Sequence, residues 1–152
     1  MNYLVKTYIL FLFGLIALYP CTTAVVSGKA TSDGRPLLLK NRDSDFLQNK
    51  LVYYFEGKFK FIGLVNSADK ANKEVWSGFN EAGFGIMNSA SYNLKINDTT
   101  KLSDQEGIIM KLALAGCKTL SDFETLLDTL PKPLGVEANF GVIDAEGGAA
   151  YY

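Results

Sequence analysis

EVWSGFNEAGFGIMNS, residues 74–89, contains two apolar stretches joined by a short turn. The stretches Glu74 to Phe79 and Phe84 to Ser89 flank Asn80-Glu81-Ala82-Gly83. Asn and Gly favour tight turns, because both accept backbone conformations that other residues avoid. The stretch therefore predicts an antiparallel strand pair at the centre of the chain.

Two further strand pairs are predicted before this one. Thr22 to Thr31 and Pro36 to Lys40 flank a turn at Ser32-Asp33-Gly34-Arg35. A second pair, residues 51–55 and 59–65, flanks Glu56-Gly57-Lys58. The first half of the chain is therefore predicted to be rich in β-strands.

Two helices are predicted after these strands. Each begins with the pattern Ser-Asp-x-Glu, at residues 103–106 and 121–124, and apolar residues follow at helical spacing. Pro131 ends the second helix, and Ala138 to Asp144 and Gly148 to Tyr152 form a final strand pair. Strands, two helices and strands again predict an α+β fold with a mainly antiparallel sheet.

The composition excludes several classes of site. The chain has 152 residues, 48% of them hydrophobic and 20% charged, with a formal charge of −1 and no histidine. Without histidine there is no Ser-His-Asp triad, no Cys-His pair and no histidine-rich zinc site. The two cysteines are too few for a zinc cage. We predict no metal and no cofactor. We also predict no nucleic-acid partner, because the chain has no basic stripe.

The N-terminus has the pattern of a secretion signal. Lys6 precedes an apolar run, Tyr8 to Leu18, which is shorter than the roughly twenty residues that span a bilayer. We therefore expect residues 1–20 to be a signal peptide, residues 21–152 to form the domain, and the protein to be exported. Pro20 fits the small-residue rule for signal cleavage poorly, so the cleavage point stays open.

Cys21 stands at the junction between the predicted signal and the first strand. If it became the N-terminal residue, its thiol would be a nucleophile and its α-amine, with an ordinary pKa of about 7.7–8.0, a base. This combination supplies acid–base chemistry without histidine. The alternatives are a cysteine that anchors a lipid and one with no chemical role.

Four segments resemble those of a known family. They are Cys21-Thr22-Thr23-Ala24, residues 33–38 (DGRPLL), Lys40-Asn41-Arg42-Asp43 and residues 80–88 (NEAGFGIMN). In this order they resemble N-terminal nucleophile hydrolases, closest to the choloylglycine hydrolase and acyl-CoA:6-aminopenicillanate acyltransferase-like group of linear-amide hydrolases. The resemblance implies an αββα sandwich. Members of the group are longer, so it also implies either that residues 21–152 are the N-terminal part of a domain truncated after its first half, or that this is a shortened form that needs a partner.

The resemblance assigns roles to individual residues. Cys21 would be the nucleophile and base, Asp43 would orient its amine, and Asn88 is the candidate oxyanion donor. Arg42 is the candidate cation near Asp43, since the bile-salt-type pattern has Arg where this chain has Lys40. The implied reaction is hydrolysis of a linear, non-peptide amide through a thioester, or acyl transfer if an amine replaces water.

Trp76 is a further candidate substrate-binding residue, because an aromatic side chain could line the acyl pocket; its alternative is the sheet core. Two rival functions stay open. One is an exported β-rich lipoprotein or binding domain, anchored to a membrane only if Cys21 is lipidated. The other is a cysteine dipeptidase of the same fold. The expected partner is a small-molecule amide, and a homo-oligomer is left open.

Overall fold

We analysed a computed structural model, which describes residues 21–91 and 104–152. The predicted signal peptide, residues 1–20, and Ser103 of the first predicted helix start lie outside the described residues. Neither helix in the described part is long and apolar enough to cross a bilayer.

The described strands form two antiparallel sheets. The smaller sheet is a hairpin of β1 (Thr22–Val26) and β2 (Leu37–Asn41), with a short 3-10 turn at Gly28–Ala30. The larger sheet has six strands in chain order, each antiparallel to its neighbour: β3 (Asn49–Tyr54), β4 (Phe61–Asn66), β5 (Ser77–Asn80), β6 (Gly85–Ala90), β7 (Ala138–Ile143) and β8 (Ala149–Tyr151). The four predicted strand pairs and the mixed α+β class are thus confirmed.

Glycines at two hairpin turns have backbone conformations that other residues rarely adopt. Gly57, between β3 and β4, has φ +103°, and Gly83, between β5 and β6, has φ +85°. Side chains other than hydrogen are strained at positive φ, so these glycines fix where each hairpin reverses. Local turn chemistry therefore sets the register of the large sheet.

Two helices cover one face of the large sheet: α1 (Glu106–Gly116) and α2 (Leu120–Thr129). The second predicted helix start is wrong by two residues. Thr119 is the N-cap and exchanges hydrogen bonds with Asp122 in a complete capping box, whereas the sequence pattern placed the box at 121–124. The core between the helices and the sheet contains Phe61, Phe84, Ile86, Met110, Leu114, Phe123, Phe140 and Val142.

The β1–β2 hairpin lies on the opposite face of the large sheet. Adjacent residues of β7 show this, because successive strand residues point to opposite faces. The Phe140 ring packs 5.6 Å from the Phe123 ring of α2. Gly141 faces the other way, where a Cβ would lie 3.1 Å from Val25 Cγ1 on β1. The nucleophile candidate thus lies beside the small sheet, whereas Asn88 is on β6 of the large sheet and Trp76 lies directly before β5.

Candidate active site

One cavity of about 400 Å³ is lined by all five residues that the sequence nominated. It lies where the open end of the β1–β2 hairpin meets the start of β5 and the C-terminal end of β6. The nominated residues on its wall are Cys21, Arg42, Asp43, Trp76 and Asn88. Residues that are far apart in the sequence are therefore close in space, although their chemical roles stay predictions.

Cys21 lies immediately before β1 and next to the end of β2. Its side chain is half-buried, and its Sγ is 3.4 Å from both the main-chain nitrogen and the main-chain oxygen of Asp43. Because Thr22 pairs with Asn41 in the hairpin, this position follows from the strand register. The hairpin thus delivers the thiol and Asp43 to the same part of the cavity.

Asn88 is buried in β6, with 8% of its surface exposed, and is bound by Lys40. The Lys40 ammonium donates hydrogen bonds to the main-chain oxygen of Asn88 at 2.8 Å and to its Oδ1 at 2.5 Å. It also donates to the main-chain oxygen of Trp76 at 3.0 Å. Since Oδ1 is occupied by Lys40, the Nδ2 group is the end of the Asn88 amide that remains to donate.

Burial makes the charged form of Lys40 less stable than it would be in water. The pKa of Lys40 is lowered to about 8: burial is the largest cause, a negative charge on Cys21 would act in the opposite direction, and the Arg42 cation adds a smaller lowering. A cation whose pKa is lowered this far is sensitive to small changes in its surroundings. The site therefore has a titratable group near neutral pH without histidine.

Arg42 and Trp76 form a second pair on the cavity wall. The Arg42 guanidinium lies 5.3 Å from the centre of the Trp76 ring, a cation–π distance. It also donates to Oδ1 of Asn49 and to Oδ1 of Asn66, each at 2.8 Å. Burial lowers the pKa of Arg42, and a negative charge on Cys21 would oppose this only in part. The guanidinium thus links Asn49, Asn66 and Trp76 on this side of the cavity and adds positive charge near the thiol.

Several cavity residues were not nominated as site residues from the sequence. The family pattern points to Lys40 only as the residue that replaces an Arg, although Lys40 contacts two of the candidates, Trp76 and Asn88. Asp104, Glu106 and Glu137 line the other part of the cavity, and Glu137 donates its main-chain N–H to Glu106 Oε1 at 3.2 Å. Charged residues at helix starts and loop ends are common, so nothing local marks these three.

Asn80 and Cys117 have structural positions outside the cavity. Asn80 Nδ2 donates to the main-chain oxygens of Leu114 and Cys117, and its Oδ1 accepts from the N–H groups of Ala82 and Phe84. Burial raises the pKa of the Cys117 thiol to about 11, a direction that disfavours the reactive thiolate. Of the two cysteines, only Cys21 lines the cavity.

Comparison of the chain with models of known families, with curated proteins and with solved structures finds no match.

Proposed function

We propose that this protein is an N-terminal cysteine hydrolase that cleaves small linear amides through a thioester. The observation that carries the proposal is the shared cavity of Cys21, Asp43 and Asn88, with Lys40 bound to Asn88. The proposal includes a more specific fold, an αββα sandwich of the N-terminal nucleophile type, within the mixed α+β class described above. Export and removal of residues 1–20 are also part of it.

The base in this scheme is the α-amine of Cys21, which exists only when the bond between Pro20 and Cys21 is cut. The amine takes the thiol proton, and the thiolate attacks the amide carbon. The carbonyl electron pair moves to oxygen, and Asn88 Nδ2 donates to the resulting oxyanion. Preorganised donors of this kind typically contribute about 2.7–4 kcal/mol each.

Collapse of the oxyanion breaks the carbon–nitrogen bond, and the α-ammonium gives its proton to the leaving amine. Water then loses a proton to the α-amine, attacks the thioester and releases the acid with the free thiol. With an amine acceptor in place of water, the same steps form a new amide. In this scheme Lys40 positions Asn88, and the Asp43 carboxylate orients the amine.

The decisive experiment separates the thiol from the amine. The full chain is secreted, the mass of its mature N-terminus is measured, and hydrolysis of a series of acyl 4-nitroanilides is followed. Cys21→Ala should reduce turnover at least about 10³-fold, as removal of a nucleophile usually does. An extra residue before Cys21 that resists removal should do the same, because it converts the amine into an amide without basicity.

Cys117→Ala is the matched control, since the Cys117 thiol is buried outside the cavity, and it should retain activity. Full activity of the N-terminally extended protein would contradict the proposed base. A diacylglyceryl group on Cys21 in the mass spectrum would instead support the lipoprotein function.

A further inference from the structure

The part of the cavity away from Cys21 is acidic. Five acidic side chains and two basic ones line the whole cavity. Lys40 and Arg42 lie on the β2 side, whereas Asp104 and Glu106 come from the start of α1 and Glu137 from the residue before β7. We call the last three residues the acidic wall.

Glu106 carries the argument, because its carboxylate is buried and only one of its two oxygens accepts a hydrogen bond from the described residues. Only 7% of the residue is exposed, and Oε1 accepts from the main-chain N–H of Glu137. Its Oε2 is buried and receives no hydrogen bond from any residue in the described part of the chain. A buried carboxylate oxygen without a donor is costly, so a donor brought by a ligand would be favourable.

The acidic wall also lacks a cationic side chain. Within residues 21–91 and 104–152, the two ion pairs are Arg35–Asp33 and Lys111–Glu56, and neither involves the wall. Two residues of the wall also act on Glu74. Burial is the first cause that raises the pKa of Glu74, Asp69 is the second, and the negative charges of Asp104 and Glu106 follow. The wall thus presents negative charge that the described protein does not neutralise.

Trp76 adds a complementary group on the same cavity. Its indole Nε1 is buried and has no acceptor among the described residues. A ligand that fits both groups offers a hydrogen-bond acceptor to Trp76 and a cationic donor to Glu106. In the described part no three His, Cys, Asp or Glu side chains converge as they would around a metal ion, which favours an organic ammonium as the cation.

We propose that the acidic wall binds an alkylammonium group of the substrate, so that the preferred substrates are linear amides with a positively charged chain. This inference rests on the proposed function and names its substrate class.

Strand geometry sets the length of that chain. Ser91, next to the end of β6, donates its N–H to the main-chain oxygen of Glu137. It is three residues beyond Asn88, which corresponds to about 10 Å along a strand. In this proposal Asn88 marks the position of the amide carbon and Glu137 marks that of the ammonium group. The two groups should therefore lie about 7–10 Å apart, a separation of two to three strand residues.

The test uses matched pairs of substrates that differ only in the charge at the end of the chain. For a cation on the acyl group, the pair is 6-aminohexanoyl 4-nitroanilide and heptanoyl 4-nitroanilide. For a cation on the leaving amine, it is N-hexanoyl-1,5-diaminopentane and N-hexanoylhexylamine. In one of the two pairs, the ammonium member should have a kcat/KM at least about 10-fold higher, equivalent to about 1.4 kcal/mol.

Glu106→Gln removes the charge with little change in volume and should reduce that preference to less than about 3-fold. Glu146→Gln is the control, because Glu146 is exposed and does not line this cavity, and it should leave the preference unchanged. Asp104→Asn serves as a second variant if Glu106→Gln does not fold. Asp104 is exposed and has φ +56°, which Asn tolerates, and its loss should also reduce the preference.

The outcomes separate the two proposals. If the wild type hydrolyses none of the four amides or the acyl 4-nitroanilides, the proposed function fails. If it hydrolyses the neutral members as fast as the charged ones, or if the preference survives both Glu106→Gln and Asp104→Asn, the amidase stands and the cationic substrate class is overturned.

Discussion

Lys40 Nζ donates to both the main-chain oxygen and the side-chain oxygen of Asn88, and so joins the hairpin to the large sheet at a single side chain. The pair spans 48 residues of sequence. Hydrogen bonds from charged donors are about twice as strong as neutral ones, so this contact fixes the Asn88 amide more firmly than a neutral partner would. The orientation of the candidate oxyanion donor therefore depends on a residue of the strand next to the nucleophile.

Removal of the Asn88 amide should affect the reaction more than binding. Asn88→Ala should lower kcat about 10²–10³-fold with little change in KM, because the donor acts on charge that develops in the transition state. Ser89→Ala, one residue further along β6, is the control. An unchanged kcat in Asn88→Ala would move the oxyanion donor to another group.

Lys40 should act through Asn88 rather than on its own. Lys40→Met leaves Asn88 Oδ1 without its donor and should lower kcat by a similar factor. The double variant Lys40→Met/Asn88→Ala should be no slower than Asn88→Ala alone, since the two residues form one unit. Additive losses in the double-mutant cycle would show that Lys40 has an independent role.

Lys40 should also make stability depend on pH. Its pKa is about 8 in the folded protein against 10.5 ordinarily, so the unfolded chain binds more protons between these values. The free energy of unfolding should therefore rise between pH 8 and 10.5, by about 3 kcal/mol in total. Denaturant titrations of the wild type minus those of Lys40→Met report Lys40 together with its coupling to Cys21, because groups that do not interact with Lys40, such as Cys117, cancel in the difference. A flat difference would contradict the burial of a charged Lys40.

Two glycines offer a matched pair for packing. A Cβ at Gly78 in β5 would lie 2.5 Å from the main-chain oxygen of Ile62 and 2.7 Å from Leu114 Cδ1. Gly78→Ala should thus destabilise the protein by about 3 kcal/mol, at the upper end of overpacking costs. Gly116→Ala should stabilise it by about 0.5–1 kcal/mol, because nothing lies within 4 Å of a Cβ there, at the last residue of α1. Chemical denaturation of both variants checks the sign and the size.

The Asn80 side chain should be important for stability although it takes no part in the cavity. Asn80→Ala leaves buried carbonyls of Leu114 and Cys117 without a donor, and each unsatisfied group costs about 1–3 kcal/mol. Asn139→Ala, at an exposed strand position, should change the free energy of unfolding by less than about 0.5 kcal/mol. Equal effects of the two changes would rule out the structural role of Asn80.

The sequence predicts the strand pairs well because their signals are local. Gly57 and Gly83 lie at turns where their positive φ is required, and apolar stretches flank both. The sequence pattern predicts the start of α2 two residues too late, because Thr119–Asp122 and Ser121–Glu124 fit overlapping patterns. The Asp122 carboxylate decides between them by accepting from the N–H groups of Lys118 and Thr119.

The site was only partly predictable. The family resemblance nominated Cys21, Asp43 and Asn88, and these residues do line one cavity. The acidic wall was missed, since Glu106 and Glu137 are brought together by the packing of α1 beside β7, which no local pattern encodes. Long-range contacts of this kind need the folded chain.

The β1–β2 hairpin docks on the large sheet instead of pairing with one of its strands, and this distinction has a dynamic consequence. Its attachments include the Lys40 contact with Asn88, the approach of Val25 to Gly141 and a hydrogen bond from Tyr151 to Thr23. Regions held by few buried contacts open before the whole domain unfolds. Amide hydrogens of β1 and β2 should therefore exchange with solvent faster than those of β4 and β6. Since Cys21 is carried by this hairpin, warming should abolish turnover at a temperature below the melting of the large sheet.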